Sequence, residues 1–221
     1  MSRWEIRIAT VIAVMALGLT PPATTAAEQP GLAIATLETL PVKGRAPKTG
    51  YTRDQFGQAW ADVDRNGCDT RNDILKRDLT SISYKAKTRN CVVLSGTLLD
   101  RYSGESINFI RGNITSMEVQ IDHVVALSNA WQTGAFKLTA EQRKALANDP
   151  MNLFAVQGRL NSQKGDGDAA TWLPPLKSFR CAYVAQQIAV KAKYSLWVVP
   201  PEKAAMLSIL AKCPTQKLPL S

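Results

Sequence analysis

The stretch Gln120-Ile-Asp-His-Val-Val-Ala-Leu127 carries the single histidine of the 221-residue chain, and the fold prediction starts from it. Apolar and polar residues alternate from Met117 to His123, which predicts a β-strand that ends at the histidine. Apolar residues then recur at helical spacing from Val124 to Trp131. Side chains of neighbouring strand residues point to opposite faces, so Asp122 and His123 reach one cleft only where the strand bends.

A single histidine limits the chemistry of the chain. Zinc sites built on two or three histidines are excluded, and so is a metalloprotease of the HExxH type. A mechanism that needs one imidazole remains, with His123 as a general base whose pKa lies near the working pH. A structural histidine, hydrogen-bonded at a turn, is the alternative that the residue alone leaves open.

A second segment, Asn152-Leu-Phe-Ala-Val-Gln-Gly-Arg-Leu-Asn161-Ser-Gln-Lys164, combines a short apolar strand with a turn and a polar helical start. Together the two segments present Asp-His, then an asparagine, a second asparagine nine residues later, and a lysine. This order resembles the HNH motif of the His-Me finger (ββα-metal) nucleases, including the variety found in CRISPR effector HNH domains. The resemblance is particularly close to a group of exported bacterial HNH-family proteins and runs from about Tyr51 to Cys213. Further matching stretches are Gly67-Cys-Asp-Thr-Arg-Asn72, Val93-Leu-Ser-Gly-Thr-Leu98, Gln163-Lys-Gly-Asp-Gly-Asp168, Trp172-Leu-Pro-Pro175 and Arg180-Cys-Ala-Tyr183.

The resemblance implies a role for each of four residues. His123 would be the general base that activates water, and Asn152 would orient the loop that bears it. Asp122 and Asn161 would be ligands of one divalent cation. Because a carboxylate and an amide oxygen are hard ligands, Mg²⁺ suits such a site best, with Mn²⁺ as the second choice. Such a site would hydrolyse phosphodiester bonds, and we expect low sequence specificity because no base-reading module accompanies it.

Several charged residues are candidates for contacts with the substrate or the metal. Lys164 follows the second asparagine by three residues, about one helical turn, so it is expected to face the same cleft and hold a phosphate. Arg71 and Arg159 are further phosphate candidates, and a solvated surface side chain is the alternative for all three. Asp166 and Asp168 are candidates for the metal shell, but the glycines around them favour a plain turn.

The segment Asp62-Val-Asp64-Arg-Asn66-Gly67 fits the first positions of an EF-hand calcium loop, with Asp73 at position 12. Three features count against calcium binding at Asp62, Asp64, Asn66 and Asp73. Position 8 is Asp69 rather than an apolar residue, the aspartate at position 12 has a shorter arm than glutamate, and Cys68 is expected in a disulfide. We therefore predict an interhelical turn pinned by a disulfide.

The N-terminal residues and the cysteines predict export. An apolar run from Ile8 to Leu19 follows a positive start and precedes small residues up to Ala27, as in a secretory signal peptide over residues 1–27. A retained membrane anchor is the alternative, although the run is shorter than the about 20 residues that a bilayer requires. The four cysteines agree with an oxidising compartment, and the absence of a CxxC pair disfavours zinc and redox chemistry. Three pairings are open, of which the chain order favours Cys68–Cys91 with Cys181–Cys213.

One compact α+β domain is predicted over residues 51–213, after an extended N-terminal segment (28–50) and before a loose C-terminal tail (214–221). Helices are expected from Thr52, over Thr70–Leu79, from Thr139, over Lys177–Tyr194 and from Pro200. A β-hairpin is expected over residues 91–111. The resemblance implies that these elements surround a ββα-metal (His-Me finger) core, and the disulfides would staple the domain.

The charge of the chain bears on its partners. It has 27 basic and 18 acidic residues, a net charge of +9, which suits a polyanion such as DNA, with RNA as the alternative. We expect no membrane partner after signal cleavage and no required protein partner. Three functions are weighed: a secreted metal-dependent endonuclease, which the motif favours, a non-catalytic basic module that binds nucleic acid or cell wall, and a calcium-stabilised extracellular domain.

Overall fold

The computed structural model describes Met1, residues 31–113 and residues 115–220. Except for Met1, the signal peptide predicted for residues 1–27 lies outside the described residues. The described residues form α1 (Ala33–Thr39), α2 (Thr70–Asp78), β1 (Leu79–Tyr84), β2 (Val93–Leu99), β3 (Ser106–Ile110), β4 (Val119–His123), α3 (Leu127–Gln132), α4 (Ala140–Ala147), β5 (Leu153–Gln157), α5 (Gly158–Lys164), α6 (Arg180–Lys193) and α7 (Pro200–Leu210). Short 3₁₀ turns, among them Arg53–Phe56, connect these elements. None of the helices in the described ranges combines the length and apolar character needed to span a membrane.

The strands form two antiparallel sheets, one of β1, β2 and β3 in that order and one of β4 and β5. In the second sheet His123 lies opposite Leu153. α5 begins directly after β5, at Gly158, where a β-carbon would lie 1.9 Å from the carbonyl oxygen of Met117. Only glycine lets the helix start this close to the turn before β4. β4, β5 and α5 therefore make a strand, strand, helix unit, with α3 and α4 inserted between the strands.

α6 carries the apolar stripe that organises the helical part of the core. One cluster joins it to α1 and α7, and its main buried members are Ala33, Leu37, Val184, Ile188, Val198 and Met206. A second cluster joins the end of α6 to α3 and α4, with Phe56, Ala130, Leu146 and Val190 among its members. A buried ion pair of 3.0 Å between Lys191 and Glu202 fixes α6 against α7. The helices thus form a rigid support beside the β4–β5 sheet.

Both predicted disulfides are present, Cys68–Cys91 and Cys181–Cys213. The first ties the chain before α2 to the chain before β2, and the second ties α6 to the chain that follows α7. Closing loops of 23 and 32 residues restricts the unfolded chain, which stabilises the fold by roughly 3–4 kcal/mol for each disulfide in the chain-entropy account.

The helix predicted from Thr52 is wrong beyond its first turn. The chain forms only the 3₁₀ turn Arg53–Phe56, which ends at Gly57 with φ +71°, and no helix follows before α2. Trp60 even adopts a left-handed conformation with φ +57°. Phe56 and Trp60 lie on irregular backbone, and each packs into a different apolar cluster. Their spacing in the sequence is the same as that of one helix face, so periodicity alone cannot distinguish the two arrangements.

The predictions for the two ends of the chain are also corrected. Residues 33–39 form α1 within the segment expected to be extended, because Ala33 and Leu37 are fully buried in the α6 cluster. The C-terminal tail is tied down rather than loose, since Leu218 donates its N–H to the carbonyl of Gly31 at 3.0 Å. A further strand, β1, extends the predicted hairpin to three strands.

Candidate active site

His123 is the last residue of β4, and a hydrogen bond fixes its ring. Its Nε2 lies 2.9 Å from the carbonyl oxygen of Ala147, the last residue of α4. Because a carbonyl oxygen only accepts hydrogen bonds, Nε2 carries the proton and Nδ1 keeps a free lone pair. Trp60 stacks against the ring, with centroids 6.0 Å apart and planes at 14°. The imidazole is therefore held in one tautomer and one orientation.

The surroundings of His123 keep its imidazole neutral. Burial is the largest cause and lowers the pKa of His123 to about 3, and the positive charges of Arg53 and Lys164 act in the same direction. The hydrogen bond to Ala147 opposes this shift. At neutral pH the ring is therefore unprotonated, with the lone pair of Nδ1 free. A pKa this far below the working pH departs from the sequence prediction of a base whose pKa lies near it, and it makes the imidazole a weaker base than predicted.

Asp122 points to the other face of β4 and is almost completely buried. Its Oδ2 accepts a hydrogen bond of 2.5 Å from the hydroxyl of Tyr102, and its Oδ1 accepts one of 2.9 Å from Nζ of Lys164. Burial raises the pKa of Asp122, while the ammonium of Lys164 opposes the change. The carboxylate is thus held between a phenol and an ammonium.

Lys164 ends α5 with its side chain inside the protein, 3% exposed as a residue. Besides Asp122, its Nζ donates to the carbonyl oxygen of His123 at 2.8 Å. This corrects the role expected for Lys164, because a buried ammonium with two internal acceptors does not face a substrate phosphate. Lys164 instead joins the end of α5 to the end of β4.

Asn152 is fully buried and holds the chain on both sides of the histidine site. Its Oδ1 accepts from the N–H of Val125 at 2.8 Å, just after His123, and its Nδ2 donates to the carbonyls of Val125 and Leu146 at 3.3 and 3.4 Å. The same side chain therefore orients the segment after His123 and the last turn of α4, where Ala147 fixes the imidazole. The orienting role of Asn152 in catalysis stays a prediction, which these hydrogen bonds support.

Asn161 lies on α5 and donates from Nδ2 to Oε1 of Gln120 at 2.8 Å, while its Oδ1 has no donor among the described residues. Asn161, Asp122 and His123 line one cleft of about 370 Å³. A carboxylate offers about four acceptor positions, of which Tyr102 and Lys164 use two on Asp122. The residues that carry these two hard oxygen donors both line the cleft, and the chemistry of the donors fits a divalent cation.

Other acidic residues supply few further metal ligands beside Asp122 and Asn161. Within the described ranges, no three histidine, cysteine, aspartate or glutamate side chains cluster as metal ligands. Asp166 lines the cleft, but its Oδ2 already accepts from Ser128 at 3.0 Å and from Lys48 at 3.3 Å. Asp168 points away from the cleft into a 2.6 Å ion pair with Arg45. A cation here would complete its coordination with water and substrate oxygens.

Two predicted phosphate contacts lie elsewhere on the molecule. Arg71 packs over the ring of Phe109, with its guanidinium carbon 5.8 Å from the ring centroid, and Arg159 is exposed beside Gln157. Neither lines the cleft around His123. The structure corrects both expectations, because α2 and the outer face of α5 do not border that cleft.

The cleft contains residues that sequence reasoning did not select, chiefly Arg53 and Ser128, with Lys48 and Tyr51 beside them. Arg53 stands out because its Nη1 is buried without a hydrogen-bond partner among the described residues. Burial lowers the pKa of Arg53. No motif marks these positions, since about 70 residues separate Arg53 from His123 in the sequence. Only the fold brings them together.

The loop that resembles an EF-hand lies outside this site. The carboxylate of Asp62 accepts from the N–H groups of Asn66 and Gly67 at 3.1 and 2.9 Å. Asp69 caps α2 by accepting from the N–H of Asn72 at 2.7 Å. An EF-hand needs a helix on both sides of the loop, and here α2 follows it but no helix precedes it. The loop is a disulfide-bonded turn before α2 rather than the predicted turn between two helices.

The model of the family described as "GmrSD restriction endonucleases, C-terminal domain" matches residues 69–209. A protein of the fungus Arthroderma benhamiae (strain ATCC MYA-4681 / CBS 112371), described as an uncharacterized secreted protein, is 37% identical over 206 residues, which cover 92% of this chain and 94% of the relative. That relative agrees with the predicted export, but it is fungal and gives no support to the bacterial group expected from the resemblance. No solved structure matches the chain.

Proposed function

Since this chain belongs to the family of GmrSD restriction endonuclease C-terminal domains, an HNH-like nuclease family, we propose that it is a secreted endonuclease. Its substrate would be DNA, with RNA as the alternative, and its reaction the hydrolysis of phosphodiester bonds with low sequence specificity. Family membership supports the nuclease class. The choice of His123 as general base is our proposal from the geometry of the cleft.

The observation that carries the proposal is the hydrogen bond between Nε2 of His123 and the carbonyl of Ala147. It leaves Nδ1 as the basic atom of a ring that lines the cleft. A water molecule beside Nδ1 would lose a proton to it as its oxygen attacks the phosphorus atom. The negative charge on the phosphate oxygens grows during this attack. The bond between phosphorus and the leaving oxygen then breaks, and the leaving oxygen takes a proton from solvent water.

The remaining residues would organise this reaction. Asn152 would hold the segment after His123, and Lys164 would hold the carbonyl of His123. Asp122 and Asn161 would hold one divalent cation, Mg²⁺ before Mn²⁺, which neutralises charge on the phosphate and the leaving oxygen when it is bound. The ion pair with Lys164 already balances much of the charge of Asp122, so we expect the cation to bind weakly without nucleic acid.

The competing function is a non-catalytic module that binds nucleic acid through its net charge of +9. The test uses the chain without residues 1–27, supercoiled plasmid and Mg²⁺, with EDTA and the variant His123→Ala alongside. Arg159→Ala is the matched control, because Arg159 is exposed and outside the cleft. We expect the parent and the Arg159→Ala control to nick the plasmid, and EDTA to abolish this nicking. We expect His123→Ala to reduce the rate of nicking at least about 100-fold.

Two outcomes would contradict the proposal. Nicking that survives His123→Ala would exclude His123 as the general base. If the protein slows the plasmid in a gel but does not cleave it with any divalent cation tested, the result would favour the binding module instead.

A further inference from the structure

Among the described residues that line the cleft around His123, Arg53 is the cationic side chain without an ion-pair partner. Two other cationic side chains in this region form ion pairs. Lys48 pairs with Asp166 at 3.3 Å, and the buried Lys164 pairs with Asp122 at 2.9 Å. Arg53 forms no ion pair with any described residue. The charge of the neighbouring Asp54 acts on Arg53 without forming an ion pair with it. A guanidinium without an ion-pair partner in a cleft attracts an anion.

The hydrogen bonding of Arg53 points the same way. Its Nη1 is buried and has no acceptor among the described residues. A buried donor without a partner costs about 1–3 kcal/mol, and more when the group is charged. Arg53 thus lines the cleft with one donor, Nη1, whose hydrogen-bonding capacity is unused among the described residues. A phosphate with two unbridged oxygens matches the planar fork of an arginine.

The backbone of Arg53 is fixed relative to His123 by α4. The 3₁₀ turn Arg53–Phe56 packs on that helix through the buried ring of Phe56, which lies in the cluster of Leu146 and Ala147. Arg143 of α4 also donates to the carbonyl oxygen of Gln55 at 2.7 Å. The same helix supplies the Ala147 carbonyl that holds the imidazole. Arg53 and His123 are thus oriented by one rigid element.

We propose that Arg53 binds an unbridged oxygen of the phosphate that is cleaved, so that the guanidinium holds the phosphodiester against His123. This inference rests on the proposed nuclease function and adds the phosphate contact that Lys164, Arg71 and Arg159 do not supply. The contact would strengthen during the reaction, because the charge on the phosphate oxygens increases as water attacks.

The first measurement is cleavage of plasmid by Arg53→Gln and Arg53→Lys, with Arg159→Gln as the matched control. We expect Arg53→Gln to lower kcat/KM about 100-fold, Arg53→Lys to recover part of that loss, and Arg159→Gln to cut like the parent. Melting curves of all variants establish that they are folded. Folded Arg53→Gln and Arg53→Lys proteins that both cut at the parent rate would overturn the inference.

The second measurement separates this inference from the proposed function. Binding of a short DNA duplex is followed as a function of salt, with every variant in the His123→Ala background so that nothing is cut. The slope of log K against log salt should fall by about one for Arg53→Gln and stay unchanged for Arg159→Gln. An unchanged slope for Arg53→Gln overturns the phosphate contact even if the parent is a nuclease. A reduced slope with a parent that never cuts supports the contact and rejects the nuclease.

Discussion

The Nζ of Lys164 lies 2.9 Å from Oδ1 of Asp122, and both side chains are buried, 0% and 4% exposed. This pair joins the end of α5 to the end of β4 beneath the cleft. Removing one member leaves an uncompensated charge in the protein interior, which is more destabilising than removing both.

Lys164→Met should therefore lower the free energy of unfolding by about 3 kcal/mol. The double variant Lys164→Met/Asp122→Asn should be less destabilised than the single variant, because the buried charge is removed together with its partner. Urea denaturation at neutral pH measures the free energy of unfolding of the single and the double variant. A Lys164→Met protein as stable as the parent would contradict the buried ion pair.

Asn152→Ala should destabilise the protein by at least about 2 kcal/mol, because it leaves buried backbone groups of Val125 and Leu146 without partners. It should also lower nuclease activity, since the same bonds hold the segment after His123 and the end of α4. Urea denaturation and plasmid nicking test the two effects. Asn148→Ala, which removes one bond to the carbonyl of Lys144, is the matched control and should leave activity nearly unchanged. Full activity of a folded Asn152→Ala protein would exclude the orienting role.

The pH dependence of stability should contain a contribution from His123. Its pKa is about 3 in the folded protein, against about 6.5 in the unfolded chain, so the unfolded chain binds the proton first as the pH falls. The stability from His123 is complete above pH 6.5 and is lost between pH 6.5 and 3, with a slope of at most about 1.4 kcal/mol per pH unit.

The variant His123→Gln isolates this contribution. It cannot titrate, whereas the carboxylates that also titrate in this range are common to both proteins. The stability of the parent minus that of His123→Gln should fall as the pH is lowered from 6.5 to 4. A difference that is constant over this range would mean that the imidazole is not held neutral by the fold.

Removal of the amide oxygen at position 161 should weaken the dependence on divalent cation. Asn161→Ala should require a higher Mg²⁺ concentration for half-maximal nicking, whereas Asn161→Asp, which keeps an oxygen donor, should require less than Asn161→Ala. A Mg²⁺ titration of nicking measures the difference. Equal Mg²⁺ requirements for the parent and both variants would argue against Asn161 as a ligand.

The sequence predicted the parts of the fold that depend on local signals. The capping box of Thr139 with Gln142 marked α4, and the apolar stripe within the helix predicted over Lys177–Tyr194 marked α6, which spans Arg180–Lys193. The order of the four cysteines left three pairings open and favoured the one that is present. The strand before His123 was predicted from its alternation. Each of these signals depends on a single secondary-structure element or on the order of residues in the chain, and tertiary contacts did not override it.

The sequence could not predict the contacts that depend on distant backbone. Lys164 was expected in the cleft from its helical spacing, but its side chain turns inward because Asp122 lies beneath it. Arg53 was not selected because its position depends on packing of the 3₁₀ turn on α4. The helix expected over Phe56 and Trp60 failed for a related reason, since each ring packs into its own cluster.

The hydrogen bond between Leu218 and Gly31 places the N-terminal and C-terminal segments of the described chain side by side. A chain with adjacent ends tolerates being closed there and opened elsewhere. A circular permutant that links residue 220 to residue 31 through a short glycine linker, and opens in the exposed loop at residues 86–90, should therefore fold. Conversely, a fusion partner joined directly before residue 31 or after residue 220 will emerge on the side of the molecule where Gly31 and Leu218 lie, and a bulky partner must clear both segments.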